Sequence, residues 1–218
     1  GKSTIATLLR RFYDVSSGHV LIDGHDVRIL SQASIGRHVA MVLQDPFLFS
    51  GTIFDNIRYA NSEKGASDIE AAARAVGAHD FIMRLPGGYQ FSLDQRGVNL
   101  SRGQRQLLSF ARALVADTRI LILDEATANV DSYSEMKIQK ALNSLLQGRT
   151  AIVIAHRLAT IRECDRILVL HHGRLVEEGD HDQLIALSGL YAGLYRMNYA
   201  SFDELPGEYK AGLAASVT

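Results

Sequence analysis

The sequence predicts an α/β fold: a doubly wound parallel sheet interrupted by an inserted helical region. Short β-branched apolar runs recur along the chain, and segments of helical periodicity separate them. From Asp45 to about Ala116 the strand signals give way to helical ones. Strands covered on both faces read as continuous apolar runs, and such strands alternating with helices are the mark of a parallel sheet.

The first helix is expected directly after GKST, where Ile5, Leu8, Leu9 and Phe12 repeat at helical spacing. Strands are expected at Val20 to Ile22 and at Val39 to Leu43. Within the insertion, Ser67 to Val76 and Gln104 to Val115 read as helices, with a break at Pro86, Gly87 and Gly88. Strand signals return at Ile120 to Leu123, Ala151 to Ile154 and Ile167 to Leu170. Between the first two lies a helix whose Ser132 and Glu135 fit a capping box and whose Ile138, Leu142 and Leu145 share a face. His172 and Gly173 turn the last strand into a hairpin with Arg174 to Val176. Tyr191, Tyr195 and Tyr199 then mark a final helix, followed by a loose tail. The expected division is a core of 1–44 and 116–187, a helical region of 45–115, and a C-terminal segment of 188–218.

Lysine and arginine number 23 against 24 acidic residues, with no block of like charge, so nothing in the composition supports a nucleic-acid surface. The lone Cys164 cannot form an internal disulfide and is assigned no chemistry. No run approaches the roughly 18 apolar residues that span a bilayer. The chain opens abruptly at Gly1, which is expected to be a fragment boundary inside a longer protein.

Three motifs carry chemistry. GKST, Gly1 to Thr4, matches the end of a phosphate-binding loop, in which backbone amides at a helix start face phosphates. Lys2 would reach the β and γ groups and the Ser3 hydroxyl would ligate Mg2+. Alone, it is equally a polar helix start. ILILDE, Ile120 to Glu125, is an apolar strand ending in two carboxylates; Asp124 suits a magnesium shell, and Glu125 could activate the water that attacks the γ-phosphate. Between them, Leu100 to Gln104 reads LSRGQ, and Ser101 with Gln104 forms the S-x-x-Q cap of a strongly periodic helix.

LSRGQ resembles the LSGGQ signature of ABC ATPases, and its position between GKST and ILILDE makes the resemblance specific. The likeness runs through practically the whole chain. Gln44 in VLQDPFLFSGTIFDNI resembles the Q-loop glutamine, ANVD with Asp131 resembles the D-loop, and His156 in IAHRL resembles the switch histidine. The implied fold is that of P-loop NTPases (RecA-like core) with a helical subdomain, and the implied ligands are ATP and Mg2+. The family pattern implies Gly1, Lys2, Ser3 and Thr4 at the phosphates, Ser3, Gln44 and Asp124 at the metal, and Glu125, His156 and Gln44 in hydrolysis. It implies that Ser101, Arg102, Gly103, Gln104 and Asp131 serve the ATP held by a second ABC ATP-binding domain, in a homodimer or heterodimer.

Segments such as QRGVNLSRGQRQLLSFARAL resemble the exporter branch, including lipid and multidrug exporters. That implies a transmembrane domain fused N-terminally, a position at the cytoplasmic face of the plasma membrane, and hydrolysis coupled to transport. Two alternatives are a catalytically impaired regulatory half of a heterodimeric exporter and a soluble ABC ATPase outside transport; Glu125 and His156, both present, argue against the first. Arg102 departs from the usual signature glycine and is expected to point away, leaving Ser101 and Gly103 in place. Asp94 and Gln95 depart where exporters often carry glycine and glutamate, at the contact with the transmembrane domain.

Overall fold

The computed structural model describes residues 1–124, 132–154 and 161–199. Glu125, Ala128, Asp131 and His156 lie outside the described residues, as do the side chains of Ser132 and Glu135 in the expected capping box. The chain divides into two compact units, one of Ser3–Ile154 and one of Gly1–Lys2 with Ala155–Thr218.

In the larger unit, helix α1 (Lys2–Leu9) is followed by the hairpin β1 (Leu21–Ile22) and β2 (His25–Asp26). Its turn at Asp23 and Gly24 has positive φ at both residues, 49° and 79°, the conformation that aspartate followed by glycine adopts readily. Helix α2 (Gln32–His38) starts at Ser31, whose hydroxyl accepts from the Ser34 amide at 3.1 Å. It leads into strand β3 (Val39–Val42).

The chain then forms β4 (Gly51–Thr52), α3 (Ile53–Arg58), α4 (Ala66–Ala75), α5 (His79–Arg84) and β5 (Ser92–Leu93). Next come α6 (Arg102–Ala116), β6 (Ile120–Asp124), α7 (Ser132–Leu146) and β7 (Thr150–Ile154). Strands β3, β6 and β7 form one parallel sheet in that order, with β6 in the middle. Successive side chains of a strand point to opposite faces. Accordingly Leu121 and Leu123 join one core with Leu108, Phe110, Leu142 and Leu145, while Ile122 joins a second with Ala6, Val27, Ile35 and Ile154. Both faces of β6, the middle strand, are covered, as a doubly wound sheet requires. Each fully buried leucine or isoleucine contributes roughly 1.5–3 kcal/mol.

The expected helix α1 forms, and it buries less than its apolar positions offer. Ala6 is its buried residue, whereas Ile5 and Phe12 are exposed at 41% and 55%. Only the small alanine lets the helix backbone approach the sheet closely, and Leu9 packs beside it half-buried.

In the smaller unit, β8 (Ile167–His171) and β9 (Arg174–Gly179) form the expected antiparallel hairpin, with β9 three residues longer than the apolar run suggested. Glu177 and Glu178 belong to that extension, and charged residues suit an exposed strand. Helices α8 (His181–Leu187) and α9 (Leu190–Tyr199) close over it, with Ile167, Val169, Leu184 and Tyr191 as the core. The Glu177 carboxylate accepts from the amides of Leu190 and Tyr191, capping α9. Gly189 has no room for a side chain against that carboxylate. The half-buried Cys164 packs against this core.

Candidate functional site

Open parallel sheets bind ligands beyond the carboxyl ends of their strands. Here those ends are level, because Val42 pairs with Leu123 and Asp124 pairs with Ile154. Asp124 is the last residue of β6 and is half-buried; Gln44 lies two residues past β3 and is exposed. Glu125 follows Asp124 directly and His156 follows β7 by two positions, both beyond the described residues. Ser3 and Thr4 are exposed in the first turn of α1, which carries no acidic residue of its own beside its amides and positive dipole end. Ala6, within the next turn, is buried in the same cluster as Ile122 and Ile154. Lys2, the first residue of α1, is exposed and groups with the smaller unit, as does Gly1.

Hydroxyl, amide and carboxylate oxygens at Ser3, Gln44 and Asp124 are hard donors, the kind that suits magnesium bound together with phosphates. Among the described residues no cluster of three or more histidine, cysteine or acidic side chains offers a denser, all-protein metal site. The donor set therefore fits a phosphate-bound magnesium ion.

Ser101 is the N-cap of α6, as its spacing predicts. Its hydroxyl accepts from the Gln104 amide at 3.2 Å, and the Gln104 side chain accepts from the Ser101 amide at 2.9 Å. Gln104 is thereby committed to the cap, while Gly103 is buried. A groove of about 550 Å³ opens beside this turn, and Ser101 and Gly103 line it together with the cations Arg74, Arg84, Lys137 and Lys140 and the single acid Asp80. Cations of that density favour an anionic occupant. Arg102 turns toward the segment after β3. It is half-buried, and its Nη2 donates to the Gln44 carbonyl at 3.4 Å, leaving Ser101 and Gly103 unobstructed. No hydrogen bond joins Ser101 or Gly103 to Ser3 or Asp124 among the described residues.

Sequence reasoning passed over Arg112 and Asn56. Arg112 donates from Nη1 to the Phe47 carbonyl at 2.8 Å, from Nε to the Asn56 carbonyl at 2.8 Å and from Nη2 to Asn56 Oδ1 at 2.9 Å. Its guanidinium lies 5.6 and 5.7 Å from the Phe49 and Tyr59 ring centres, two rings that stack on each other. Burial pushes its pKa down to about 10, so it remains charged at neutral pH. An arginine between the buried Ala111 and Ala113 of a strongly amphipathic helix was the available signal.

Residues 1–128 match the protein family described as ABC transporter. The chain belongs to the ABC transporter family. It is 54% identical over 204 residues to an uncharacterized ABC transporter ATP-binding protein, YknV, of Bacillus subtilis (strain 168), covering 94% of this chain and 34% of that protein. It is 48% identical over 199 residues to an ATP-dependent lipid A-core flippase of Syntrophus aciditrophicus (strain SB), covering 91% of this chain and 33% of that protein. A bacterial Atm1-family ABC exporter solved with ATP bound superposes with a TM-score of 0.86 at 43% identity, covering 93% of this chain and 35% of that one. The chain thus spans about a third of the length of these ABC transporter relatives. The exporter-type resemblance and the P-loop NTPase fold expected from LSRGQ and its flanks are borne out.

Proposed function

We propose that this chain is the ATP-binding and hydrolysing domain of an ABC exporter, coupling ATP-driven dimerisation to transport across a membrane. The observation that carries the proposal is the level ending of β3, β6 and β7, which puts Gln44 and Asp124 on neighbouring strand ends with Glu125 next in sequence.

In this reading Gly1, Lys2, Ser3 and Thr4 hold the phosphates, and Ser3, Gln44 and Asp124 hold Mg2+, which neutralises charge on the phosphate oxygens when bound. Glu125 orients and deprotonates the attacking water, and His156 steadies that water and the γ-phosphate. Ser101, Arg102, Gly103 and Gln104, with Asp131, face the nucleotide of a second ABC ATP-binding domain. Arg102 acts there through its contact with the Gln44 carbonyl, and Gln104 through the cap it makes with Ser101. The cationic groove beside Ser101 supports an anionic ligand at that surface.

ATP bound between two such domains favours their closed pair, and hydrolysis removes that preference, so differential affinity for the closed state drives a transmembrane domain. That domain is fused N-terminally in the full-length protein, which places this one at the cytoplasmic face of the plasma membrane. The names of the lipid A-core flippase and the Atm1-family exporter support membrane export as the coupled process. Residues 1–44 and 116–187 form the ATP-binding core, 45–115 the helical subdomain, and 188–218 the C-terminal segment.

The test is Glu125→Gln in the full-length protein. Retained ATP binding, an ATP-trapped dimer and loss of most hydrolysis are expected. Unchanged turnover would remove Glu125 from the base role, and an inactive parent with both Glu125 and His156 intact would favour a regulatory, non-hydrolysing half.

A further inference from the structure

We propose that Arg102 and Arg112 are positioning residues that staple the segment from Gln44 to Asn56 onto α6, so that the setting of Gln44 follows the position of Ser101 within the same domain. The inference rests on the function proposed above for Gln44 and goes beyond it, because it assigns the device that places that residue.

The segment is held by its main chain at short intervals. The Gln44 carbonyl accepts from Arg102, Pro46 is buried, the Phe47 carbonyl accepts from Arg112, and the Phe49 amide and carbonyl both bond the Asn56 side chain. The Gln44 side chain, by contrast, makes no hydrogen bond among the described residues. Its carbonyl is engaged by Arg102, and its side-chain amide is left for a ligand.

Both anchors come from one rigid element. Arg102 lies in the first turn of α6 and Arg112 in the third, about 15 Å further along the axis. Neither pairs with a carboxylate among the described residues, and the hydrogen bonds they make, one from Arg102 and three from Arg112, go to carbonyl and amide oxygens of this segment. A guanidinium partly withdrawn from water without a counter-ion is costly, and apolar side chains could pack α6 against α3 without that cost. What the arginines add is direction, since a planar fork aimed at main-chain oxygens sets the path of the segment rather than only its proximity. At the signature, the side chain that replaces glycine extends this hold to Gln44 itself. Ser101 caps the same helix, so a displacement of the signature carries Gln44 with it.

The experiment uses full-length protein. Hydrogen–deuterium exchange is followed without nucleotide in wild type, Arg102→Ala and Arg112→Lys. Faster exchange is expected in peptides covering residues 44–49 in both variants, with those covering β6 unchanged. Arg112→Lys keeps the charge and loses the fork, which guards against simple unfolding. In ATPase assays, Arg102→Ala is expected to raise the half-saturating Mg2+ concentration about threefold while the KM for ATP changes less than about twofold, and Arg102→Lys to restore part of the loss. Unchanged exchange at 44–49 in both variants would overturn the staple. Faster exchange with an unmoved Mg2+ dependence would overturn its role in placing Gln44. If Glu125→Gln hydrolyses ATP as fast as wild type, the proposed function fails, while the exchange result, obtained without nucleotide, still decides the staple.

Discussion

Arg112 and Asn56 clasp each other twice, through Nε to the Asn56 carbonyl at 2.8 Å and through Nη2 to Oδ1 at 2.9 Å. The same Oδ1 accepts from the Phe49 amide, and Asn56 Nδ2 donates to the Phe49 and Thr52 carbonyls. One buried side chain thus satisfies a loop, a helix start and a cation together. Asn56→Ala leaves the Phe49 amide and one arm of Arg112 without partners, and an unsatisfied buried group costs about 1–3 kcal/mol. A stability loss of about 2–4 kcal/mol is expected from chemical denaturation; a change under about 0.5 kcal/mol, typical of surface positions, would contradict the network.

Gly97 precedes the signature turn with φ at 63°, and a Cβ there would sit 2.9 Å from Leu48 Cδ1, itself fully buried. Gly87 also has positive φ, 80°, but its nearest neighbour would be 4.0 Å away. Both alanine variants incur the left-handed penalty of roughly 1–2 kcal/mol, and only Gly97→Ala adds the collision. Gly97→Ala should therefore lower the melting temperature more than Gly87→Ala; equal losses would show that Leu48 yields freely.

The cap at Ser101 and its proposed role toward a partner's nucleotide can be separated. Ser101→Ala removes the acceptor for the Gln104 amide and should cost about 1 kcal/mol. Asparagine caps a helix as well as serine. Ser101→Asn should therefore retain stability while lowering ATPase turnover of the full-length protein. If turnover follows stability in both variants, Ser101 is a cap and nothing more.

Asp26 gives the domain an acid-sensitive point. Hydrogen bonds from the Arg28 guanidinium, including Nη2 to Oδ2 at 2.6 Å, with the Arg28 amide and His19 alongside, hold its carboxyl well below the usual carboxylate range. A carboxyl whose folded pKa is depressed contributes stability above its unfolded pKa and loses it as pH falls toward the folded value. That window begins near pH 4. Asp26→Asn should make the denaturation midpoint less pH-dependent below about pH 4 while leaving the shape of the profile near neutrality unchanged. A midpoint profile identical to wild type below pH 4 would remove Asp26 from the acid response.

Much of the fold was legible. Ile120 to Leu123 announced a strand because residues buried on both faces must be apolar without interruption, and the β-branched run of Ala151 to Ile154 announced another although only Ile154 is buried in it. Ser101 and Gln104 announced the start of α6 because a cap is a bond between positions three apart, and Ser31 before α2 carried a similar signal that was not singled out. For α1, spacing identifies the apolar positions but not which of them a sheet can approach. At that contact Ala6 fits and Ile5 does not.

Of the candidate site, the sequence by itself determined the chemistry on offer: the hydroxyl of Ser3, the carboxylate of Asp124, the amide of Gln44 and the capped turn at Ser101. These are properties of residue type and of neighbours a few positions apart. Only the tertiary structure decided which of them meet. The level register of β3, β6 and β7 brings Gln44 and Asp124 to adjacent strand ends, and the path of α6 sends Arg102 to Gln44 and Arg112 to Asn56, across 58 and 56 residues of chain. An arginine between buried positions of an amphipathic helix states that a charge must be satisfied; which oxygens satisfy it depends on packing between distant segments, and no local pattern encodes that.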